Sequence, residues 1–116
     1  MKKSLTRRER LRKTGDIRAL FKSGQRTESH GLKLLFGKNG FDVNRMAVVV
    51  ARGCGGAVRR NREKRLIREA YRDVKNDLRP GNDLVFVVGR FGLNYAQRRE
   101  TLSGLLRRAD LKRNGQ

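Results

Sequence analysis

The chain has 116 residues, a length that suits one domain with a modest core. Thirty Lys and Arg against eleven Asp and Glu give a formal net charge of +19, far more than solubility asks for. Such a field repels itself and attracts polyanions, so nucleic acid is the leading partner class and an anionic membrane surface the weaker rival. The single cysteine, Cys54, excludes an intrachain disulfide and reads as an inert thiol, since the only histidine, His30, is far away in sequence. No stretch approaches the roughly 18 apolar residues that a membrane-spanning helix needs. "MKKSLTRRER" has no apolar run after its basic start and so does not read as a signal peptide; the expected location is the cytoplasm.

Residues 1–12 read as a basic, flexible arm that settles only on RNA, the start of a single RNA-binding domain over 1–116. "TGDIRALFKSG" predicts a short helix, with Asp16 or Thr14 placed to cap it and Gly24 to end it. Ile17, Leu20 and Phe21 fall at i, i+3, i+4 on one apolar stripe. A short strand is expected near 25–30. "GLKLLFGK" alternates, Leu32, Leu34 and Phe36 on one face and Lys33 and Leu35 on the other, which predicts a strand. Asn39-Gly40 marks the turn that follows. "RMAVVVAR" is apolar on both faces and is expected to be a central, covered strand. "CGGAV" opens a charged helix running to about Leu78, where Pro80-Gly81 stops it. "DLVFVVGR" predicts another buried strand, with Val49 and Val87 in strands that can lie parallel. "NYAQRRETLSGLLRRADLKR" predicts a last amphipathic helix, Asn94 at its cap and Tyr95, Leu102, Leu105, Leu106 and Ala109 on its inner stripe. The sum is one mixed sheet with helices packed on it.

The charge is uneven. Residues 1–26 hold ten basic and two acidic residues, and 52–79 hold ten and four, whereas 27–51 hold three and two. On a helical wheel of about 100° per residue, Leu66, Ile67, Ala70, Tyr71, Val74 and Leu78 form the inner arc. Asn61, Arg62, Lys64, Arg65, Arg68, Arg72, Lys75 and Arg79 lie opposite. Glu63 falls on the apolar side. Exposed helices usually mix signs; this face is nearly all positive. Arg59 and Arg60 stand in the first turn, where the helix dipole disfavours cations by about 0.3–1 kcal/mol. A phosphate there reverses that sign and accepts hydrogen bonds from the free backbone N–H groups, and the preceding "GCGG" lets a backbone approach closely.

"GGAVRRNREKRLIREAYR" resembles the signature of the bacterial ribonuclease P protein subunit, and "RLRKTGDIRALFKSG", "KNG", "RMAVVVAR" and "PGNDLVFVVGR" follow that family's order over nearly the whole chain. The resemblance implies an α/β sandwich: a four-stranded mixed sheet packed with three helices, similar to a ribosomal-protein-like fold, with a left-handed βαβ crossover against the usual hand. It implies partnership with a catalytic RNA and precursor tRNA. That RNA, using Mg²⁺ bound mainly by itself, cleaves the 5′ leader; the protein has no catalytic residue, metal site or organic cofactor of its own, and is expected to be a monomer. Carried over by position, Arg59, Arg60, Asn61, Arg62, Lys64, Arg65, Arg68 and Arg72 would contact the catalytic RNA, with Arg52 where paired basic residues are common in the family. A leader cleft would be walled by Ile17, Phe21, Leu35 and Phe36. Ile17 stands where the family usually has Phe, and Leu35 where an aromatic can occur. Phe21 is therefore the main stacking candidate, although core packing explains it equally well.

Bulk charge alone fits a ribosomal or general RNA-binding protein as well; only the ordered motif separates the two. An independent nuclease would need a general base or metal site, and Asp42, Asp83 and Glu63 are the scattered carboxylates on offer. No helix-turn-helix pattern points to DNA.

Overall fold

The structure, a computed structural model, describes residues 5–113. Its strands are β1 (Gln25–Ser29), β2 (Leu32–Lys38), β3 (Arg45–Val50) and β4 (Asn82–Val88); its α-helices are α1 (Thr14–Ser23), α2 (Ala57–Val74) and α3 (Tyr95–Arg108). The strands form one mixed sheet in the order β1-β2-β4-β3. β1–β2 and β2–β4 pair antiparallel. β3 and β4, joined through α2, run parallel with Val49 opposite Val87. The expected architecture and the parallel pair are thus both seen.

Alternation then sorts the strand residues onto two unequal faces. Leu32, Leu34, Phe36, Met46, Val48, Val50, Leu84, Phe86 and Val88 point to one side, where Ile67, Ala70, Tyr71 and Val74 of α2 and Leu102, Leu105 and Leu106 of α3 bury them. On the other side α1 and the segment leading into it cover only part of the sheet. Leu20, Leu35, Val85 and Leu11 are buried there, while Ile17, Ala47, Val49 and Val87 are only partly so.

Two expectations are corrected here. β3 is an edge strand, not a central one. Both its faces are apolar because α2 packs on one and the other floors the half-open side. Its outer edge is met by the N-terminal segment: Arg10 bridges to Met46, and the Leu11 N–H donates to the Met46 carbonyl at 2.9 Å. That segment is also not a loose arm over residues 5–12. Leu5 and Leu11 are buried, and their apolar area holds the segment down. Residues 1–4 of the expected arm lie outside the described residues.

Helix ends follow local chemistry. Asn94 caps α3 by accepting the Gln97 N–H, and the Gln97 side chain accepts the Asn94 N–H in return. α1 starts at Thr14 with no side-chain cap, so neither Thr14 nor Asp16 caps it; Asp16 sits in the first turn, where a carboxylate suits the dipole. α2 stops at Val74, short of Leu78, and tightens into a 3₁₀ turn over Lys75–Asp77 before the Pro80 break.

Candidate nucleic-acid interface

The N-terminus of α2 has the chemistry to accept an anion. Gly56 is its N-cap, no side chain caps it, and its first turn holds no acidic residue. Its leading N–H groups are therefore left for an outside acceptor. Gly53 and Gly55 form the joint from β3, with φ of 96° and 118° that disfavour any side chain. A Cβ at position 55 would lie 3.1 Å from the Arg59 Cδ, so the Arg59 side chain folds back close over the joint. Arg52, Arg59, Asn61, Arg62, Arg65 and Arg68 are exposed, and Lys64 and Arg72 half-buried. Arg60 differs from its neighbours: it is half-buried, and its Nη2 donates to the Val50 carbonyl at 3.2 Å. It anchors the helix start to β3 as well as carrying charge.

Lys75, on the same predicted face, is turned to a protein partner. Its Nζ lies 3.0 Å from both carboxylate oxygens of Glu9. Burial works against ionisation of Glu9, but the Thr6 backbone N–H and the Lys75 ammonium outweigh it and hold the carboxyl below its ordinary 4.5. This pair latches the N-terminal segment onto the end of α2.

On the half-open face, Phe21 is 42% exposed and lies outside both core clusters, so core packing does not explain it. Its carbonyl accepts from Arg26 Nη2 of β1 at 2.9 Å, which brings this end of α1 close to β1. Ile17 is half-buried on the same stripe, and Leu35 is fully buried in the cluster that includes Leu20. Leu35 is therefore floor, not wall. Phe36 is a correction: it points to the opposite face and packs in the core under α2 and α3. Being adjacent on a strand, Leu35 and Phe36 cannot line the same side. A groove of about 350 Å³ beside α1 is lined by Arg10, Arg12, Ile17, Ala47 and Arg68, among others. It joins the two predicted residue sets around the β3 edge, since Arg68 belongs to the charged helix and Ile17 to the cleft. Arg10 and Arg12 were not singled out from the sequence; the basic run at 7–13 was the signal, but their seat beside β3 needed the fold.

The three carboxylates weighed for metal or base chemistry each face an arginine. Asp83 takes a two-pronged contact from Arg45, at 2.8 Å to Nε and 2.7 Å to Nη2, with Asp16 3.4 Å from the same Nη2. Asp42 pairs with Arg8 at 2.9 Å. Glu63 is buried against Arg98, itself fully buried, at 3.2 Å, and also accepts the Gly92 N–H. Among the described residues no group of three or more His, Cys, Asp or Glu is arranged to hold a metal ion.

The sequence and the fold both match known proteins. A family model described as ribonuclease P matches residues 5–110. The chain belongs to the ribonuclease P protein family. The ribonuclease P protein component of Thermotoga petrophila is 42% identical over 87 residues, spanning 75% of this chain and 74% of that one. That of Clostridioides difficile is 32% identical over 104 residues, spanning 87% and 91%. The solved ribonuclease P protein of Thermotoga maritima superposes with a TM-score of 0.77 at 36% identity, covering 86% of this chain and 96% of that one. Membership makes the chain a component of a ribonucleoprotein endoribonuclease that processes tRNA.

Proposed function

We propose that the protein binds the catalytic ribonuclease P RNA through the outer face of α2 and holds the 5′ leader of precursor tRNA on the half-open face of the sheet. The observation that carries this reading is the juxtaposition at the β3 edge: the cations of α2 and the apolar floor beside α1 meet in one groove, lined by both Arg68 and Ile17. A phosphate at the uncapped start of α2 would take charge-assisted hydrogen bonds from Arg59 and the backbone N–H groups. A single-stranded leader crossing the floor would find Phe21 as a stacking surface and Val49 and Val87 as apolar contacts.

Chemistry is assigned to the RNA. The carboxylates that would serve a protein-held Mg²⁺ are engaged by Arg45, Arg8 and Arg98, so they do not fit a hydrated divalent ion. Mg²⁺ would act in the RNA and supply the activated water and leaving-group stabilisation there. The protein's part is to raise local affinity for substrate and to screen phosphate repulsion. On this reading it works in the cytoplasm as a monomer.

Reconstitution tests the reading. Purified protein is added to a bacterial ribonuclease P RNA at low Mg²⁺, and 5′ cleavage of a precursor tRNA is followed. Cleavage requiring both components is expected. Tight RNA binding without rescue would instead make the chain a general RNA-binding protein. In the same system Arg62→Gln with Arg65→Gln should lower the salt slope of binding by about one unit per lost phosphate contact.

A further inference from the structure

The basic face of α2 lies towards the β3 edge of the sheet. A second basic surface lies at the other edge. Between the β1–β2 turn and the outer side of α3 runs a groove of about 550 Å³ that includes Arg90, Arg107, Arg108 and His30, with Ser29, Gln97 and Thr101 as polar neighbours. Glu100 is the one carboxylate in its lining, and Gly104 keeps the helix side low. None of these residues belongs to the α2 face or to the cleft beside α1.

The groove is held in shape. The turn cannot move away from Arg90: the Gly89 N–H donates to the Gly31 carbonyl at 2.8 Å, and a Cβ at Gly31 would fall 2.3 Å from the Arg90 Cβ. Gly31 has a φ of 73°, so only glycine closes the turn there without strain. The Arg90 carbonyl is held by the buried Arg98, the same side chain that pairs with Glu63 of α2. Among the described residues Arg98 Nε and Nη1 find no hydrogen-bond partner, so the guanidinium is kept in place by that carbonyl and that carboxylate. Across the groove, Arg108 Nη1 donates to the Thr27 hydroxyl at 3.2 Å and the Glu28 carbonyl at 2.9 Å. Its charge is thereby fixed at the wall. Cations mounted on a rigid frame lose little freedom on binding, which favours recognition of a charged backbone.

We propose that this groove binds an RNA phosphodiester backbone, at a segment separate from the one on α2. Arg90 and Arg107 supply the movable charge-assisted contacts, and Arg108 the fixed one. The protein would then bridge two stretches of RNA backbone across its own width, with the Glu63–Arg98 pair as the rigid link between the two surfaces. The proposal rests on the reading of the chain as an RNA-binding subunit.

The test is the salt dependence of equilibrium binding to a bacterial ribonuclease P RNA, for three double variants. Arg90→Gln with Arg107→Gln empties the groove of its movable charge and leaves Arg108 as a strut. Lys22→Gln with Lys38→Gln removes the same charge from exposed positions that are given no RNA contact. Arg62→Gln with Arg65→Gln reports on the α2 face. The groove variant is expected to lower the salt slope by about one to two units, with the Lys pair near wild type and thermal unfolding unchanged in both. Equal losses for the groove and Lys variants would reduce the effect to bulk charge and overturn the proposal. So would a groove variant with wild-type slope while the α2 variant falls. If the α2 variant also keeps its slope, the proposed function itself fails. Thr101→Cys carrying an azidophenacyl group should cross-link to the RNA; Cys54 is free but buried, so brief labelling modifies the new thiol first, and the wild-type chain treated alike is the control. Absence of a cross-link, with binding intact, would count against the groove directly.

Discussion

The two faces of the sheet are made from the same four strands and serve opposite ends. Under α2 and α3, Leu32, Leu84, Phe86 and Val88 are wholly shielded from water. Under α1, Val87, which lies between Phe86 and Val88, and its cross-strand partner Val49 stay partly exposed. One ten-residue helix covers this face where two longer helices cover the other, so part of the floor is left uncovered. The closed face concentrates the burial that holds the fold. The open face leaves apolar area exposed on the same strands, the area that the proposed leader contact would use.

The largest expected effect falls on the closed face. Phe86 is fully buried and meets Tyr71 edge-on, centroids 6.0 Å apart. Phe86→Ala should cost about 3–5 kcal/mol in chemical denaturation, the usual loss for an aromatic truncated in a core. On the open face, Phe21→Ala should leave stability nearly unchanged but weaken precursor tRNA binding to the assembled complex by about 1–3 kcal/mol, the stacking energy of one base. Mature tRNA, which lacks the leader, should bind as before. If Phe21→Ala lowered stability as much as affinity, the division between the faces would collapse. The smallest effect concerns the seam between them. Glu9 has its carboxyl lowered by Thr6 and Lys75, so its contribution is complete above the ordinary 4.5 and fades as pH falls through the lowered value. Hydrogen exchange at the Leu11 amide, corrected for intrinsic pH dependence, should speed up below that point, and Glu9→Gln should abolish the transition. The latch is worth about 1 kcal/mol or less, so global unfolding should barely register it.

Much of this was legible from periodicity. The alternation in "GLKLLFGK" already separates Phe36 from Leu35, and following it strictly would have kept Phe36 out of the cleft. The position of β3 was not legible in the same way. Val48 and Val49 are apolar on both faces whether the second cover is a helix or a ligand, and hydropathy cannot tell these apart. The docking of Leu5 and Leu11 was hidden for a related reason: two leucines among so many arginines do not outweigh composition until a surface exists to receive them. Arg98 did leave a signal. It lies three residues after Tyr95 and four before Leu102, on the inner stripe of α3, just as Glu63 lies on the inner stripe of α2. Opposite charges on two facing apolar stripes announce a buried pair. The cation set of α2 was the most readable part, since a one-sign face needs no tertiary information to stand out.

Cys54 sits in the glycine joint between β3 and α2, 1% exposed and packed into the main core. A thiol there can be reached only when the joint opens. Its labelling rate is therefore a molecular clock that counts how often the charged helix loosens from the sheet. A polyanion seated on α2 should slow that clock without touching sulfur, so the chain carries its own probe of how firmly the charged helix is held.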